Sequence, residues 1–225
     1  TIKDMSITEQ GNNSGLFGYT ANAAIKNIII SGKITITAAS YTEGYGSIVG
    51  RLDNSTIFNC HSSVNITIDS TMESTEGNCI GHIGGIVGKM HEANSAIANC
   101  SYSGTIELND SPVNVAAGIA GYAINSAVPI TNCSFTGTIN STYSGQTIIG
   151  GIFGYTTSAG DVKVTNCLSV GTITKSGDTS LTGILIGQIN NGYGNNAVKN
   201  NYYSSSSSLN VFGSTSGTPT TAPAT

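Results

Sequence analysis

Apolar residues in this chain come in short pieces of three to five, set apart by Gly, Asn, Ser and Thr, and the pieces recur in a fixed order. Residues 84–106, GGIVGKMHEANSAIANCSYSGTI, return as AGIAGYAINSAVPITNCSFTGTI at 117–139 and as GGIFGYTTSAGDVKVTNCLSVGTI at 150–173. The last glycine of each first piece marks the repeat: Gly18, Gly50, Gly88, Gly121, Gly154 and Gly187, separated by 32, 38, 33, 33 and 33 residues. Two positions before it stand Leu16, Ile48, Ile86, Ile119, Ile152 and Leu185. A second marker is Asn27, Asn59, Asn99, Asn132, Asn166 and Asn200, with Ile25, Ile57, Ile97, Ile130, Val164 and Val198 two positions earlier. Seven after the Asn come Ile34, Ile66, Ile106, Ile139 and Ile173, until Ser207 breaks the series. The position just before the Asn varies freely (Lys26, Phe58, Ala98, Thr131, Thr165, Lys199), which separates inside from outside.

A period of this length is the mark of a stacked repeat architecture. The pieces are β-branched and bounded by turn formers, which favours strands. Two fixed glycines per unit would weaken helices by roughly 1 kcal/mol each. The expected fold is therefore all-β: a parallel β-helix of about six three-strand coils with a period of about 33 residues. At about 4.8 Å per coil, six coils rise on the order of 29 Å. Three aliphatic side chains at roughly 1.5–3 kcal/mol each cannot offset the ordering of one coil, so neighbouring coils must complete one another. Residues 1–14 are expected to form an N-terminal capping segment, 15–203 the repeat domain and 204–225 a Ser/Thr/Pro-rich tail.

The pieces GLFGY (15–19), GGIVGK (84–89) and GGIFGY (150–155), with the recurring N-C-x-x-x-G-T-I, resemble the GLUG-motif repeat proteins. That resemblance implies a β-solenoid on a large secreted or surface-exposed, adhesin-like protein, and it brings no shared catalytic residues. The second unit is longer than the pattern, and the sixth departs from it, with Asn201 at the Cys position and Ser205 at the Gly position.

Composition narrows the function classes. The net charge is −4, only 9% of residues are charged, against a typical value of about 25%, and no Lys/Arg cluster exists. Nothing here attracts a nucleic-acid backbone or an anionic membrane. No apolar run reaches the roughly 18 residues of a membrane span. The chain opens on Thr1 without a signal-like segment, which predicts a processed product.

Candidate chemistry is sparse. Cys60, Cys100, Cys133 and Cys167 share one repeat position and form either two disulfides, Cys60–Cys100 and Cys133–Cys167, or a ladder of buried thiols. The asparagine markers suggest a stacked amide ladder at a corner, with Asn99 and Asn132 inside it and buried. Of seven N-x-[ST] sequons, this and the Ser111-Pro112 that follows Asn109 leave Asn12, Asn54, Asn65 and Asn140 as exposed N-glycosylation candidates. The longer unit carries Glu73, Glu76, Cys79 and His82 at intervals of three, a spacing that suits a metal only on a helix, so a solvated loop is the expectation. The acids sit singly in loops, and His61, His82 and His91 have no paired acid and nucleophile, so neither a glycosidase pair nor a triad is expected. Thr105, Thr138 and Thr172 form a short outward file, flanked by Lys33 and Asn65, that ordinary strand propensity explains. Tyr19, Tyr122 and Tyr155 share a repeat position that Arg51, Lys89 and Gln188 interrupt. A full row of Tyr would favour sugar binding.

These readings converge on a non-catalytic extracellular or cell-surface structural and adhesive protein without cofactor, glycosylated and assembling head-to-tail into homo-oligomers or filaments. Its partners would be host or environmental glycans. The alternative is a carbohydrate-active or carbohydrate-binding parallel β-helix.

Overall fold

In the computed structural model, residues 1–38, 42–68, 80–92, 94–124, 128–156, 162–190, 198–205 and 207–216 are described. Among them there is no helix, and so none long and apolar enough to cross a membrane. Every paired strand runs parallel to its partner, in three sheets that enclose one apolar interior. The architecture is all-β and solenoid-like.

The repeat spacing becomes vertical contact. In the long sheet Ile7, Ile34, Ile66, Ile106, Ile139 and Ile173 lie in register one above another. In the short sheet Ile25, Ile57, Ile97, Ile130 and Val164 do the same. Both columns point inward, and Ile66, Ile106 and Ile139 have no exposed surface.

The third sheet is folded along its length. The Ile80–Gly84 and Val87–His91 strands meet at a bend over Gly85 and Ile86. The marker glycines sit in this angle. A Cβ on Gly121 would stand 2.5 Å from the Ile83 carbonyl oxygen, and one on Gly154 would stand 2.2 Å from Val115 Cγ1. Any side chain there would push the two halves of the strand apart, which is why the repeat ends its first piece on glycine.

The asparagine markers turn the corner between the short and long sheets. Asn27, Asn59, Asn99, Asn132, Asn166 and Asn200 all have φ between 53° and 59°, the left-handed region that Asn tolerates better than most residues. Asn59 donates to Asn27 Oδ1 at 2.7 Å and Asn132 to Asn99 Oδ1 at 3.1 Å. The expected amide ladder is present, but it is not buried: Asn132 is exposed and Asn99 half-exposed. An αL residue at a convex corner directs its side chain away from the core, so burial does not remove these two sequons from the candidates. A second file, Asn22, Asn54 and Asn94, turns the opposite corner of the short sheet in the same conformation.

The two ends differ. The Ile2–Gln10 strand covers the first long-sheet strand, Ile29–Ala38, and leaves the outer edges of Phe17–Ala21 and Ala24–Lys26 open among the described residues. At the other end Asn210–Ser216, part of the expected tail, is a strand laid on Thr182–Asn190. Residues 217–225 lie outside the described residues.

Candidate functional site: the outer face of the bent sheet

The four cysteines that share a repeat position are free thiols, 0–1% exposed. Cys100, Cys133 and Cys167 reach the carbonyl oxygens of Ala98, Thr131 and Thr165 at 3.2–3.4 Å. Hydrogen bonds along the file raise Cys60 and Cys133 and draw Cys100 and Cys167 down. All four are too buried to meet a reagent from solution. This is a core column of the thiol-ladder kind, not a reactive site. Of the loop residues Glu73, Glu76, Cys79 and His82, the first three lie outside the described residues, and His82 is buried in a strand. Among the described residues no group of three His, Cys, Asp or Glu is placed to hold a metal.

The sequon asparagines scatter over the surface. Asn12, Asn54 and Asn65 are exposed, whereas Asn140 is half-buried and donates to Glu107 Oε1 at 2.7 Å. Thr105, Thr138 and Thr172 lie in register on the outside of the long sheet, as expected.

The richest chemistry lies on the outer face of the bent sheet. There the marker-plus-one residues Tyr19, Arg51, Lys89, Tyr122 and Tyr155 form one continuous file. Its character changes along the stack. In the middle, Tyr122 is 8% exposed, stacks on His82 with ring centroids 4.1 Å apart, and lies 6.0 Å from the Tyr155 ring. Val115 and Ile148 from the facing half-strand close this part into an apolar strip outside the main core. Burial, reinforced by the Lys89 charge, lowers His82 to about 4, and burial also lowers Lys89. Lys89 donates to the Thr42 carbonyl oxygen at 2.9 Å.

Toward the N-terminal end the file becomes polar. Asp53 is 6% exposed, and both its oxygens are held by Arg51, Nε at 3.0 Å and Nη2 at 2.8 Å. Tyr19 donates its hydroxyl to Asp53 Oδ2 at 3.1 Å, and the Arg51 guanidinium stands 5.5 Å from the Tyr19 ring centroid. The hydrogen bond to Asp53 raises both Tyr19 and Arg51. His91, in register with Asp53, places Nδ1 3.6 Å from Asp53 Oδ2 and 3.3 Å from Glu92 Oε1. Beside this network a shallow depression is lined by Tyr19, Ala21, Asn22, Asp53, Asn54, Glu92 and Asn94.

In the sequence these acids stand isolated. Asp53 stands three residues after its marker glycine and Glu92 four after its own, so no shared repeat position links them. Counting from Gly50 and Gly88 does bring Asp53 level with His91, and that offset was the available clue. Compared with protein-family models, curated proteins and solved structures, the chain matches none of them.

Proposed function

We propose that this chain is a parallel β-helix of about six coils, period about 33 residues, from a GLUG-like repeat protein, and that it serves as a non-catalytic structural and adhesive module outside the cell. The observation that carries the reading is the unbroken register Phe17, Val49, Val87, Ala120, Phe153, Ile186, Phe212 through the bent sheet. Such a stack is a stiff rod, and a surface covered with Ser, Thr and Asn offers it little to do by charge. Sugars on Asn12 and Asn65 would be displayed at fixed positions along it. Strand edges left open among the described residues, at Phe17–Ala21 and Thr172–Lys175, support head-to-tail association with further copies, because an unpaired edge is a template for another strand.

Negative-stain micrographs of protein from its native source, paired with intact mass, test this. Rods longer than one copy and masses above the polypeptide value are the expected result; isolated short particles of unmodified mass would refute assembly and glycosylation together.

One observation favours the carbohydrate-active alternative: Asp53 and Glu92 line the same depression. Asp53, however, is committed to Arg51 and Tyr19, and Glu92 contacts His91 Nδ1 at 3.3 Å, so at most one free carboxylate lines the depression. Glycoside hydrolysis uses two. We therefore assign binding and not turnover to this face, and release of reducing sugar from any polysaccharide by the purified protein would reverse that assignment.

A further inference from the structure

The amide file beside Tyr19 is not fully used by the fold. Asn94 donates to Asn54 Oδ1 at 3.1 Å and Asn54 to Asn22 Oδ1 at 2.5 Å, which leaves Asn22 Nδ2 as the terminal donor. Glu92, whose side chain is 57% exposed, lines the same depression. So does Tyr19, 55% exposed, although Arg51 and Asp53 fix both its ring and its hydroxyl. A rigid, half-open aromatic ring sharing a depression with an amide donor and a carboxylate acceptor is the combination that a pyranose needs. Its axial C–H face packs on the ring, and adjacent hydroxyls bridge donor and acceptor. Because the ring is already immobilised, little rotamer freedom is lost when a ligand arrives.

The charge selects among sugars. Both charged residues lining the depression, Asp53 and Glu92, are acids; Arg51 is occupied by Asp53, and His91 Nδ1 is already turned to both acids. A uronic or sialic acid carboxylate would face Glu92 without a free partner, so the site suits an uncharged sugar.

We propose that the depression formed by Tyr19, Asn22, Asn54, Asn94 and Glu92 is a glycan-binding subsite for one neutral hexose or N-acetylhexosamine unit, with Tyr19 as the stacking platform. This deepens the adhesive reading given above and rests on it for its biological setting. Arg51 and Asp53 act as positioning residues that hold Tyr19.

Saturation-transfer NMR on the intact chain tests the site, with methyl mannoside, methyl galactoside, N-acetylglucosamine and glucuronic acid as separate probes. The expected result is transfer to at least one neutral sugar, strongest on its ring protons. That transfer falls at least tenfold in Tyr19→Ala and is retained in Tyr19→Phe, which keeps the ring. It is also retained in Tyr202→Ala, which removes an equally exposed tyrosine (59%) elsewhere on the stack. Glucuronic acid gives no transfer to the native protein and gains it in Glu92→Gln. No transfer from any neutral sugar, or transfer unchanged in Tyr19→Ala with native circular dichroism, overturns the proposal. Neither outcome bears on rods in micrographs, so failure of the subsite and failure of the structural reading are told apart.

Discussion

If stacking of equivalent residues holds this chain together, one substitution should have a cost that depends on height in the stack. Ile106 has no exposed surface and lies between Ile66 and Ile139, whereas Ile173 occupies the same column at its end, has one in-register neighbour, Ile139, among the described residues, and is partly exposed. Ile→Ala removes three carbons, and at ~0.8 kcal/mol per buried carbon their transfer sets a floor near 2.4 kcal/mol for Ile106. The void between two neighbours that cannot collapse adds to this, giving ~3–4 kcal/mol, within the usual range for such changes. For a chain of this size, that lowers the melting temperature by roughly 6–16 °C. Ile173→Ala has a smaller transfer loss and opens its void to solvent, so less than half that value is expected. Urea titration followed by circular dichroism, with both variants at the same concentration, measures the difference. Equal losses from Ile106→Ala and Ile173→Ala would refute the column as the unit of stability.

Three further outcomes follow from the same geometry. Gly121→Ala places a Cβ 2.5 Å from the Ile83 oxygen and 2.7 Å from the Gly88 oxygen, both backbone, so the bend must open at about 1–3 kcal/mol; an unchanged denaturation midpoint would show that the angle has slack. His82 has its folded pKa lowered to about 4, so the unfolded chain takes up a proton that the folded chain refuses. Stability present above pH ~6.5 is therefore lost as pH falls toward 4, on the order of 3 kcal/mol in all, and His82→Phe, which keeps a ring against Tyr122, should flatten that part of the pH profile. Finally, Cys60, Cys100, Cys133 and Cys167 should resist maleimide in the folded protein and react in guanidinium, as mapped by peptide mass; a linked pair in a non-reducing map would contradict the free-thiol column.

The strand content, the parallel order and the inward columns were all legible in the spacing of Ile, Gly and Asn, because a stacked repeat converts a fixed separation along the chain into direct contact between neighbours. The thiol file followed for the same reason, since four cysteines at one repeat position must lie level with one another in register. Tertiary structure decided what translation along the stack does not encode. The fold at Gly85 and Ile86 depends on how closely two half-strands approach, and the exposure of Asn132 depends on which way an αL corner points. The meeting of Asp53, His91 and Glu92 joins residues at different offsets from their markers, on either side of a corner whose length varies between units. A period fixes which residues are stacked; the path of the chain between stacked positions fixes which side chains share the surface.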